Sequence, residues 1–158
     1  MRVDRNIPCE DVKNLLNREL TDEMQVLDAY EPTSKFADIA WARYEIGLSF
    51  ADANEEMAEK LQALFTTSPL LLMKKSKSGE KEVELTQMIR EFKTTCTEDG
   101  NIAITAILRA GNTENLNPEM LIAAAKERLG ILSGDPTPDS YSILRTNVYT
   151  DDGVTEFR

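Results

Sequence analysis

Histidine is absent from the 158 residues, and cysteine occurs only at positions 9 and 96. Without an imidazole the chain contains no Ser-His or Cys-His nucleophile and lacks the commonest nitrogen ligand for metals. Cys9 and Cys96 stand far apart with no CxxC grouping, so this chain alone supplies neither a zinc site nor an iron–sulfur cradle. Two cysteines also fall short of a secreted disulfide framework, and separate reduced thiols are expected. No cofactor and no metal are implied. Long apolar runs are missing as well: the longest, Pro69-Leu70-Leu71-Leu72-Met73, is far below the ~20 residues of a membrane helix. Met1-Arg2-Val3-Asp4-Arg5 has no signal-peptide core. Positive charge is in deficit, 18 basic against 28 acidic residues for a net −10, which opposes broad attraction to nucleic acid or anionic lipid. A cytoplasmic, soluble protein without a membrane partner is expected.

What is present is a sequence of well-punctuated elements. Pro8, Glu10 and Asp11 suit a first helical turn, and Val12, Leu15 and Leu16 then repeat on one face, which predicts a helix over 8–19. Met24–Tyr30 is a short apolar segment closed by Glu31-Pro32 and reads as a strand. From Trp41 the chain alternates: Ala42, Tyr44, Ile46, Leu48 and Phe50 point one way, Arg43, Glu45 and Ser49 the other. Asp52 or Asn54 caps a helix over 54–66 carrying Met57, Leu61, Leu64 and Phe65. Leu70–Met73 and Val83–Leu85 flank a lysine-rich turn and predict a long hairpin. A second hairpin, Arg90–Thr97 with Ile102–Arg109, turns at Glu98-Asp99-Gly100-Asn101 and buries Ile102, Ile104, Ala106 and Leu108. Asn117, Pro118, Glu119 and Gly130 write the start and stop of a last helix. After the Gly- and Pro-rich stretch 133–139, a strand over Tyr141–Tyr149 ends the pattern, and the tail beyond Thr150 is expected to fray.

Strand, helix, hairpin, two paired strands, helix and strand is the order of an α+β fold of the ferredoxin-like kind. It is a split βαβ plait whose antiparallel sheet carries its helices on one face. Residues 41–149 supply one plait with an inserted hairpin, 1–32 look like the closing half of a first plait, and 150–158 form a tail.

The candidate sites are few. Lys74, Lys75, Lys77 and Lys81, with Arg90 and Lys93 nearby, make the one dense positive patch, suited to phosphate oxygens of RNA. Equally, lysines on a hairpin discourage edge-to-edge pairing of sheets. Arg43, Arg109 and Arg145 lie on separate predicted strands and would form an anion pocket if they converged, or else pair individually with Glu45, Glu82 or Glu84. Trp41, Tyr44, Tyr141 and Tyr149 offer rings for stacking bases, with core packing the simpler use. Glu55-Glu56, Glu98-Asp99 and Asp151-Asp152 sit where helix dipoles and turns already account for acids, and Cys9 at a helix start has no partner base.

Several segments together carry a family likeness: Val26-Leu27-Asp28-Ala29, Ala42-Arg43-Tyr44-Glu45-Ile46 and Lys77-Ser78-Gly79-Glu80-Lys81-Glu82-Val83-Glu84-Leu85. Asn115-Leu116-Asn117-Pro118 and Leu144-Arg145-Thr146-Asn147-Val148-Tyr149 continue it in the same order. The chain resembles the radical-SAM-linked bacterial domain of unknown function, a C-terminal partner domain fused to radical S-adenosylmethionine proteins or encoded beside them. Members of that family begin with a further segment bearing a histidine motif and a Gly-Asn-Pro turn, so Met1–Arg5 reads as a strand entered partway. The resemblance implies an accessory domain that docks with a radical-SAM-type protein and performs no catalysis itself. The alternatives are an RNA-binding module using the hairpin 74–81, and an enzyme whose catalytic residues lie upstream.

Overall fold

In this computed structural model, which describes residues 6–76, 79–132 and 139–158, alternation in the sequence becomes a one-sided sheet. In β1 (Trp41–Ser49), Ala42, Ile46 and Leu48 are buried while Glu45 and Ser49 are exposed. The helix α2 (Glu55–Thr66) starts at Asn54, whose side-chain oxygen accepts the Met57 N–H at 2.9 Å. Its Ala58, Leu61 and Phe65 form the buried stripe. The ribbon of β2 (Leu71–Ser76) and β3 (Gly79–Glu84) follows, paired antiparallel. A two-stranded ribbon is marginal alone, and it is held here by Leu70, Leu72 and Leu85, all buried in the main core. Full burial of one such leucine contributes about 1.5–3 kcal/mol.

The expected second hairpin is β4 (Ile89–Cys96) and β5 (Ile102–Arg109), with Ile102, Ile104, Ala106 and Leu108 all buried. The helix α3 (Glu119–Leu129) begins one residue beyond Pro118, and the Asn117 carboxamide accepts the Glu119 N–H at 3.1 Å. It stops at Gly130, whose φ of 66° is left-handed and would strain any side-chain-bearing residue. β6 (Ser140–Tyr149) completes an antiparallel sheet in the order β4-β5-β1-β6. α2 links β1 to β4 and α3 links β5 to β6, each crossover skipping one strand. That is the split βαβ plait. The helices share one core with the strands, through Leu61, Phe65, Leu121 and Ile122 against Ile46, Leu48, Ile104 and Leu108.

Two expectations are corrected. Met24–Tyr30 is not a strand, since it pairs with no other strand among the described residues. Instead, Asn17 on α1 (Cys9–Glu19) takes both backbone groups of Val26, donating to its carbonyl at 3.1 Å and accepting its N–H at 2.7 Å. Second, the tail does not fray. Asp152 Oδ1 accepts the N–H groups of Val154 (2.9 Å) and Thr155 (2.8 Å), and its Oδ2 accepts the Thr155 hydroxyl at 2.6 Å. The chain thereby folds back on β6, with Phe157 N–H bonded to the Val148 carbonyl at 2.9 Å. Gly153 makes this turn, with φ at 69° and Arg90 so close that a Cβ would lie 2.6 Å from its guanidinium.

The described residues divide into two units, Met1–Lys35 with Arg158 and Phe36–Phe157. In the first, α1 has no fully buried residue. The expected strand Met1–Arg5 and the loop 133–138 lie outside the described residues.

Candidate functional site

The sheet has a covered and an uncovered face. On the uncovered one, the register sets Thr105 opposite Glu45 and Glu45 opposite Leu144, while Ala103, Gly47 and Ser142 form the next row. These side chains line a shallow groove of about 340 Å³. Leu144 is 60% exposed there, a large apolar side chain opposite the Glu45 carboxylate and beside small residues. A glycine within a strand, here Gly47, marks a place where another backbone can come close.

At one end of this face Trp41, Ile107 and Ala40 form a second, smaller cluster with Tyr149. The guanidinium of Arg109 lies 4.2 Å from the centre of the Trp41 ring, and that of Arg90 lies 5.6 Å from it. Arg109 also reaches Glu114 at 3.3 Å and Asp151 at 3.6 Å. Trp41 donates its indole N–H to the Asp151 carbonyl at 3.2 Å. A cleft of about 770 Å³ opens beside them, lined by Asp38, Arg109, Asn112, Glu114, Asp151 and Asp152 among others. Its carboxylates outnumber its one guanidinium, and that guanidinium is already paired, so an anion meets competition there.

The three arginines do not converge. Arg43, opposite Ile107, and Arg109, opposite Trp41, share the uncovered face. Arg145 stands opposite Tyr44, whose ring packs on the helix-side core, and so lies on the other face. The cause is a bulge in β6, where the register shifts between Arg43 and Tyr44 and one extra residue reverses the alternation. Arg43 contributes to holding the Glu91 carboxyl below its usual range, after the larger effects of the hydrogen bond and charge of Lys93.

In the ribbon, the register pairs Lys74 with Lys81 and Lys75 with Glu80, while Lys77 lies outside the described residues. The aromatic residues do not make a stacking platform. Trp41 is only 8% exposed beneath Arg109, Tyr44 packs on the core, and Tyr149 packs on Trp41. Tyr141, 41% exposed, donates to the Glu119 carboxylate at 2.9 Å, a bond that raises its phenol pKa.

Cys9 and Cys96 are both free thiols. Among the described residues no cluster of three His, Cys, Asp or Glu side chains is arranged to hold a metal, and no helix is long and apolar enough to cross a membrane. Glu56 pairs with Lys60 at 2.6 Å, which holds its carboxyl below the usual range.

One feature left no trace in the residue pattern. Gln62 on α2 donates to the Phe92 carbonyl at 2.8 Å and accepts the Thr94 N–H at 3.0 Å, occupying outward backbone groups of the outer strand β4. The Thr94 hydroxyl adds a bond to the Ala58 carbonyl at 2.8 Å. On the opposite outer strand, residues 140–146 have no such partner among the described residues, and only the end of β6 is covered, by residues 155–157.

Comparison with known proteins gives a family and nothing finer. Neither a curated protein nor a solved structure matches the chain. Residues 1–118 match the family described as "Uncharacterized protein conserved in bacteria (DUF2344)", three-quarters of the sequence with β1 to β5 included. The chain therefore belongs to this conserved bacterial family.

Proposed function

We propose that this chain is a non-catalytic, cytoplasmic accessory module that docks with a radical-SAM-type protein. The carrying observation is the uncovered sheet face, where Gly47, Ala103, Thr105 and Ser142 surround an exposed Leu144, with no helix of the second unit above them among the described residues. A plait commonly buries one sheet face and leaves the other free to meet water or a partner. The resemblance to the radical-SAM-linked domain supplies the class of partner. The lack of histidine agrees with chemistry carried out on the partner rather than here. The test is capture of a radical-SAM protein by this chain. Retention by the native chain, and its loss with Leu144→Asp or Thr105→Arg, is expected. Absence of capture by the native chain contradicts the reading.

A second reading, binding of RNA, draws on the ribbon register that sets Lys74 opposite Lys81, next to Lys75. Titration of labelled RNA at low salt separates the two. Salt-sensitive binding that disappears when Lys74, Lys75 and Lys77 are reversed in charge favours RNA.

A further inference from the structure

The two outer strands of the sheet differ in whether another strand can be added to them. On β4, Gln62 already fills the positions of Phe92 O and Thr94 N that an added strand would use. Among the described residues of the second unit, nothing pairs with the outer edge of β6 from Ser140 to Thr146, and side chains there are exposed except for the half-buried Ile143. The usual protections of an open edge are short length, inward charge, lysine or proline. β6 has ten residues, with neither lysine nor proline. The folded tail covers its far end, and the bulge falls at Thr146, the last residue of the open stretch.

We infer that the edge of β6 between Ser140 and Thr146 receives an extended segment of a protein partner, in which apolar and acidic side chains alternate. The inference rests on the docking reading above and names the segment by which the partner is held. An added strand satisfies its main-chain groups on those of the edge, and its side chains meet the two faces alternately.

The two faces beside β6 call for different side chains. On the uncovered face stands Leu144, 60% exposed, which an apolar residue would cover. On the helix side stand Arg145 and, 5.6 Å from the Tyr141 ring, the ammonium of Lys126. On that side the Glu119 carboxylate is engaged by the Tyr141 hydroxyl. β6 itself has no acidic residue, in a chain of net charge −10. Local charge therefore favours an acidic strand. It disfavours a second copy of this chain, because self-pairing would bring two bodies of the same large negative charge together.

The probe is a fluorescein-labelled ten-residue peptide alternating valine and glutamate, titrated into the full chain at low salt and followed by anisotropy. Binding about tenfold tighter than that of the valine–lysine counterpart is expected, with the preference reversed by Arg145→Glu. Methylating alternate peptide nitrogens removes main-chain donors without touching the protein, and is expected to abolish binding. Absence of binding, equal binding of the two peptides, or full binding of the methylated peptide each overturns the inference. So does concentration-dependent dimerisation of the free chain through residues 140–146. If the radical-SAM-type protein is captured while the peptide is not bound, the docking reading stands and this inference falls. If the peptide binds and no such partner is captured, the choice of partner class falls while the edge retains its specificity.

Discussion

β4 and β6 border the same sheet, and each faces the hazard of an unpaired row of N–H and C=O groups. At β4 the hazard is removed by a side chain: Gln62 presents one donor and one acceptor at the spacing of a neighbouring strand, 2.8 and 3.0 Å from their partners. Asn17 does the same for Val26 in the first unit, at 3.1 and 2.7 Å. At β6, among the described residues, only the last ones are covered, and by main chain, because Asp152 bends the tail back over Val148 and Tyr149. A carboxamide is a substitute for a strand that cannot itself be extended, whereas an uncovered edge can accept one. The comparison separates a border built to be closed from one left available.

The largest expected effect removes the support of the closed border. Leu61, fully buried next to Gln62 in sequence, anchors α2 on the sheet. Leu61→Ala is expected to cost about 2–5 kcal/mol in denaturant unfolding, the range for a leucine cavity. A loss below 1 kcal/mol would mean that α2 is not held as described. Gln62→Ala comes next: it leaves Phe92 O and Thr94 N–H without their partner in a part-buried place, at a cost of about 1–3 kcal/mol. It also opens β4, so faster exchange of the Thr94 amide is expected of this variant than of the native chain.

The tail gives a smaller, local effect. Four hydrogen-bond donors, the Thr155 hydroxyl foremost, hold the Asp152 carboxyl well below the usual aspartate range. A lowered pKa in the folded state means the charged form is the one stabilised. The turn's contribution is therefore present above the ordinary aspartate pKa and lost only as pH falls through the lower folded value. The amide resonances of Val154 and Thr155 should stay in place through mildly acidic solution and shift together in Asp152→Ala. Movement at the ordinary aspartate midpoint would show that the turn does not hold the carboxylate. Smallest of all, Arg145→Ser should change unfolding stability by no more than about 0.5 kcal/mol, as an exposed residue with no ion pair among the described residues. A larger loss would show that the open edge depends on Arg145 for its own folding.

The elements that could be read from sequence are those whose signals are local. The alternation of β1, the turn Glu98–Asn101 and the stop at Gly130 depend on residues within a few positions of one another, and each is where the pattern puts it. Met24–Tyr30 has a strand's composition, but a strand exists only with a partner, and the side chain of Asn17 holds Val26 instead. The arginine trio failed for a similar reason. Face assignment by alternate positions assumes an unbroken register, and one bulged residue put Arg145 on the opposite side from Arg43 and Arg109. The clamp by Gln62 spans 30 and 32 positions of sequence, so no window around Gln62 or Thr94 contains it. Thr150, Asp152 and Thr155 carry a turn signal, but such a signal does not say whether the chain then returns to the sheet, as it does here.

Residue-resolved amide exchange of the free chain compares the two borders directly. The account predicts that Thr94 N–H, held by Gln62, exchanges as slowly as the interior strands, while the outward amides between Ser140 and Thr146 exchange at least tenfold faster, a difference of about 1.4 kcal/mol in protection. Equal protection at Thr94 and along residues 140–146 would contradict it.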